Sequence, residues 1–184
     1  MRNFTSGVLI GLSIIVSGCV SNTEASFASR NAEVELDLHS LVRGQSNDLL
    51  SLTQNLETRA AKHFSAPKKL ANDLEKTVIH MDQLHLNLPT LLAHQDVELA
   101  ELRALLAEGA IGKSTLKARA QDIRTYRKAL ITSLSASESR ANLTSNALAA
   151  AHQSGRSDLS GHANTAKALS RDVKAARTMI EMQL

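Results

Sequence analysis

Apolar residues recur along this chain at steps of three and four from about residue 30 to near its end, the spacing of helices that each cover one stripe. From about Arg30 to His63 the stripe is Val34, Leu38, Leu41, Leu49, Leu52 and Leu56, with one polar turn near Gln45. From about Pro67 to Glu108 it is Leu70, Leu74, Val78, Met81, Leu84, Leu88, Leu92, Leu99, Leu102 and Leu106. A third runs over about 115–153 through Leu116, Ala120, Ile123, Leu130, Leu134, Ala141 and Leu148. A fourth, over about 162–183, carries Ala166, Leu169, Val173, Ala176 and Ile180.

Residues that stop and start helices stand between these stripes. Pro67 fits the first turn of a helix and Ser65 can cap it. Gly109 is placed to end the second helix, Ile111 to supply the apolar contact that accompanies such an end, and Ser114 to cap the third. Gly155 ends the third. Pro89 falls inside the second stripe, where it removes a backbone bond and crowds the carbonyl four residues back, so a kink or short break is expected between His85 and Thr90.

Four helices with short connections predict an all-α fold: an elongated antiparallel helical bundle built on a long central helical hairpin, with the first and last helices laid along it. Composition agrees. Aromatic residues make up 2% of the 184 positions, with no Trp, one Tyr and three Phe; Leu and Ala supply the apolar area, as in chains of long helices. The third helix is rich in small residues, among them Ser133, Ser137, Ala141, Ser145, Ala147, Ala149, Ala150 and Ala151. A face of that kind buries little area per residue. It calls for a partner or a second copy, or else is a solvated helix end.

The N-terminal segment is of another kind. Arg2 precedes an apolar run from about Gly7 to Val16, then Ser17 and Gly18, the make-up of a secretion signal. Its end, Val16-Ser17-Gly18-Cys19, resembles the lipobox of bacterial lipoproteins. That resemblance implies a diacylglyceryl group on Cys19, cleavage just before it and acylation of the freed amine. Cys19 is the chain's one cysteine, so it has no intramolecular disulfide partner. Two or more acyl chains hold a protein stably on a membrane surface. By the same resemblance Val20-Ser21, with no acidic residue after the cysteine, implies the outer membrane, facing the periplasm. The expected organisation is a signal peptide over 1–18, a lipidated tether over 19–29 and one helical domain over 30–184.

The stretch Gly112-Lys-Ser-Thr115 matches the end of a phosphate-binding loop, G-x-x-x-x-G-K-[ST]. Its first glycine would fall at 107, where the chain has Ala107, and a helical stripe precedes it in place of a strand. Nucleotide binding is not expected, and the segment is better explained as a corner between helices. The pattern Leu99, Leu102, Leu106, Gly109, Ile111, Leu116 is similar to the short C-terminal domain motif of many bacterial proteins. In that motif a leucine-rich helix turns at G-x-I-[ST] into a second helix; here Gly112 replaces the Ser or Thr, and Leu116 stands where an aromatic is usual. The resemblance covers about thirty residues and implies no catalytic activity.

Histidines stand at 39, 63, 80, 85, 94, 152 and 162. His80 and His85 are five apart and do not share a helix face, so no metal site is expected. Asp96, Glu98 and Glu101 lie opposite Leu99 and Leu102 as a solvated face, and no acid, base and nucleophile come into register; neither enzyme activity nor a cofactor is predicted. Formal net charge is +3, one unit of it Arg2, too little for a nucleic-acid surface. A modest basic cluster, Lys113, Lys117, Arg124, Arg127 and Lys128, is the candidate interaction surface, suited to an anionic envelope polymer or phospholipid headgroups. The expected function is that of a lipid-anchored structural or protein-interaction module of the cell envelope, its partner another envelope protein or a second copy. The alternative is a helical module that binds a metal, a small ligand or an anionic envelope polymer.

Overall fold

The computed structural model describes residues 23–62, 64 and 67–184, with side chains from residue 37 onward. The chain divides into two units, Met1–Glu33 and Val34–Leu184, and of the first only helical backbone from Thr23 is described. Cys19 and the expected signal peptide lie outside the described residues, as does Ser65, the expected cap. No strand occurs among the described residues, and the fold is an all-α helical bundle.

The helices are α1 (Thr23–Ala61), α2 (Pro67–Ala107), α3 (Lys113–Gln153) and α4 (Ser160–Glu181), with one 3₁₀ turn at Ser157–Leu159. α1 begins seven residues before the expected start near 30, so the part of the expected tether from residue 23 is helical. α2 continues through Pro89 without a break in its helix. α2 and α3 each span 41 residues, about 60 Å at 1.5 Å per residue.

Within Val34–Leu184, side-chain pairs fix the directions. Arg59 meets Asp73 and, far from that turn, His39 meets Gln95, so α1 and α2 are antiparallel. Glu98 pairs with Arg119 and Asp96 with Arg127, which sets α2 against α3. Tyr126 reaches the His39 carbonyl and Ser46 reaches Ser133, each across 87 residues, while Arg140 reaches the Leu50 carbonyl across 90. Such near-constant offsets make α1 and α3 parallel. Ser170 to Asn142 and Arg177 to Glu138 turn α4 back along α3. The result is an up-down-up-down bundle in which α1 is tied to both members of the α2–α3 hairpin and α4 packs on both as well.

Two turns end in the same way. Gly109 has φ 76°, its N–H bonds the Leu106 carbonyl, and Ala110 N–H bonds that of Leu105. Gly155 has φ 98°, with Gly155 to His152 and Arg156 to Ala151. Both are Schellman ends, which need a left-handed residue and give the last carbonyls partners. Ser114 is not the cap of α3. Gly112 holds that place in extended conformation, with no side-chain cap, and its carbonyl accepts from Thr115 and Leu116. Phe64, after α1, also has positive φ, 52°, and is held there with its ring buried.

The core is aliphatic. Val42, Leu49 and Leu56 of α1 meet Leu70, Leu74, Met81, Leu84, Leu88, Leu91 and Leu92 of α2, with Leu130, Leu134 and Leu148 of α3. All five expected stripe residues of α4 are buried. α3 and α4 approach each other more closely than α2 approaches either, because buried Ser137, Ala141 and Ser145 face α4 with Ala166, Ser170 and Ala176. α4 therefore covers much of the small-residue face, while Ala149 and Ala150 stay exposed.

Candidate functional site

The polar residues that the fold gathers lie where α1, α2 and α3 meet the end of α4. Arg127 of α3 is 3% exposed and Gln95 of α2 fully buried, positions that the apolar stripes around them, Leu92 to Leu99 and Ile123 to Leu130, carry inward. Arg127 Nε donates to Gln95 Oε1 at 2.8 Å, and Nη2 donates to Asp96 Oδ1 at 2.8 Å and to the Leu92 carbonyl at 3.4 Å. Nη1 donates to the Gln183 carbonyl, just past α4. Burying a guanidinium is costly unless its donors are met; here one carboxylate and three neutral oxygens meet them.

Gln95 passes the network on. With its oxygen held by Arg127, its Nε2 donates to His39 Nε2 at 2.9 Å, so that ring nitrogen is the acceptor and His39 is neutral. The His39 ring stacks on Tyr126, centroids 4.3 Å apart and tilted 33°, and Tyr126 Oη donates to the His39 carbonyl at 2.8 Å. Burial lowers the pKa of His39, and nearby His94 lowers it further. Burial pushes the Tyr126 hydroxyl up to about 12, with Arg43 pulling the other way. Glu98 is raised by burial and then by Glu101.

This junction is a clamp. Its groups are spent on one another, and a cleft of about 250 Å³ beside it is lined by Asp96, Leu99, Arg103, Arg124 and Arg127. Arg127 therefore does not belong to the surface cluster expected from sequence: it is buried and ion-paired, and Lys113, Lys117, Arg124 and Lys128 remain, all exposed. Steps of four, seven and four place those four on one face of α3, about 22 Å long. His80 Nδ1 is bonded to the Lys76 carbonyl at 2.9 Å. No three His, Cys, Asp or Glu side chains converge as metal ligands among the described residues, and none of the described helices is long and apolar enough to cross a membrane.

Gln95 and Arg127 were not expected as a pair, yet the chain carries a signal for them. Gln95 stands three residues after Leu92 and four before Leu99; Arg127 stands four after Ile123 and three before Leu130. A polar residue in apolar register must either break the stripe or find a partner inside it. No protein-family model matches the chain, and neither a curated protein nor a solved structure matches it.

Proposed function

We propose that this protein is a bacterial envelope lipoprotein: a helical bundle held on a membrane by lipid on Cys19, acting as a structural or protein-interaction module. The observation that carries the reading is the run Gly7 to Val16 followed by Val16-Ser17-Gly18-Cys19, in which the one thiol of the chain follows two small residues after an apolar segment. Val20-Ser21 favours the outer membrane and its periplasmic face. The side chains of the bundle suit contact better than chemistry, since its buried pair Gln95 and Arg127 is engaged in joining helices. The exposed strip Lys113, Lys117, Arg124 and Lys128 is where an anionic envelope polymer or lipid headgroup would lie.

Membrane fractionation of the native protein and a Cys19→Ala variant tests this. The native protein is expected in the outer-membrane fraction, released by detergent and resistant to high salt, with Cys19→Ala in the soluble fraction. Release by salt alone would assign attachment to the basic strip instead, since surface charge pairing is screened and acyl chains are not. A soluble native protein would sink the anchor.

A further inference from the structure

The outward face of α2 carries an apolar seam opposite the core. Leu86, Val97 and Ile79 are 74, 57 and 47% exposed, and Thr90, Ala93, Ala100 and Ala104 beside them are exposed too. Steps of seven join Ile79, Leu86, Ala93 and Ala100, and again Thr90, Val97 and Ala104, so the set draws one seam of the coiled-coil kind about 38 Å long. Charge stands at its edges, Asp82, Asp96 and Arg103 along one and Glu101 along the other, with Asp96 taken up by Arg127. Among the described residues neither Asp82 nor Arg103 has an ion-pair partner, whereas most other arginines of the bundle do.

The seam tapers. Its largest residues, Ile79 and Leu86, lie in the first half, while the second holds the smaller Val97 with Ala93, Ala100 and Ala104. A helix laid on it in parallel would set Leu86 on Leu86 and leave a gap at the alanines, which close packing disfavours. An antiparallel copy reverses the taper: with a two-fold axis near Ala93, Leu86 faces Ala100, Ile79 faces the Ala104–Ala107 turn, and Asp82 comes opposite Arg103, twice by symmetry. We propose that α2 docks antiparallel against α2 of a second copy of this chain, the isologous contact that a self-complementary surface makes. Size and charge select the same orientation independently. This dimer stands whether or not Cys19 is lipidated.

The test uses the full chain with Cys19→Ser, so that only introduced thiols react. Sedimentation at micromolar concentration is expected to show a dimer. On mild oxidation Ala93→Cys should cross-link to itself and the Leu86→Cys/Ala100→Cys pair should cross-link, while Leu86→Cys alone should not. Asp82→Arg and Arg103→Asp should each weaken the dimer about tenfold, as two symmetric pairs become repulsive, and the double swap should restore it. Circular dichroism checks that each variant stays helical. A monomer at these concentrations would overturn the proposal and leave the seam to a different protein. So would a dimer indifferent to both reversals, or self-cross-linking of Leu86→Cys, which reports a parallel pair.

Discussion

His39 shows what one buried titratable side chain does to a bundle. Its Nε2 accepts from Gln95, whose orientation Arg127 fixes. A proton on that nitrogen would set two donors face to face, and turning the amide would break the bond from Arg127. The groups it meets are His94 and Gln95 on α2 and Tyr126 on α3, with Arg127 behind Gln95 and Arg43 acting on Tyr126. Its pKa is lowered in the fold, so the unfolded chain binds the proton more readily and stability rises with pH across the window between the two values. On acidification stability is therefore expected to fall from about pH 6.5, the ordinary histidine value, down to the lowered one. Urea unfolding between pH 5 and 8 measures this, and His39→Gln, which keeps an acceptor without the titration, should flatten the slope. An equal slope in both proteins would remove His39 as the cause.

At the scale of the helix, the glycines separate two roles. Gly109 sits at φ 76° in the α2 end with open space where a Cβ would go. Gly109→Ala should cost about 1–2 kcal/mol from the left-handed backbone alone. Gly44 lies inside α1 at ordinary helical φ, also with open space, so Gly44→Ala should add about 0.5–1 kcal/mol. Opposite shifts of the urea midpoint for substitutions of the same size are the check; a loss at both would mean that contact, not backbone, decides.

The same scale shows what was legible in the chain. Helix count, order and the Gly109 and Gly155 ends were written in periodicity and glycine, and every stripe residue of α4 was placed correctly. α1 was harder. Val42 is buried in place of Leu41, which is 46% exposed, and the stripe passes through Gln45, Ser46 and Thr53. On α2, Thr77 is buried while Val78 is only half so, its hydroxyl bonded to the Asp73 carbonyl at 2.6 Å. A polar side chain that bonds its own helix can take a core position, and hydropathy alone does not show that bond. Leu99, Leu102, Leu106 and Leu116 continue the stripes in sequence but are half-buried. Arg127 reads as surface charge from composition and as interior from register, and register was the better guide.

Across the whole molecule, the two pairs of helices are packed by different means. Leucines hold α1 and α2 together, whereas Ser137, Ala141 and Ala166 let α3 and α4 come close. A large side chain between close backbones has nowhere to go. Ala141→Leu is expected to destabilise by about 1–3 kcal/mol through overpacking, lowering Tm by about 2–4 °C per kcal/mol in a chain of this length. Leu143→Ala, at a residue 53% exposed, should leave Tm nearly unchanged. If both behaved alike in thermal melts, close approach of α3 and α4 would not be what limits side-chain size there.

The parallel pairing of α1 with α3 also has a consequence for the order of assembly. α1 is made before α2, α3 and α4, yet its polar contacts with α3 at Tyr126, Ser133 and Arg140 lie 87 to 90 residues downstream. Closing so long a loop costs more entropy than closing the turns that join α2 to α3 and α3 to α4. α1 can pair with α2 at once as a hairpin, through Arg59 and Asp73 across 14 residues, but the face of that hairpin that α3 covers waits for the third helix. For that interval the uncovered leucines of the α1–α2 pair, which Leu130 and Leu134 will meet, are the adhesive surface of the newborn protein.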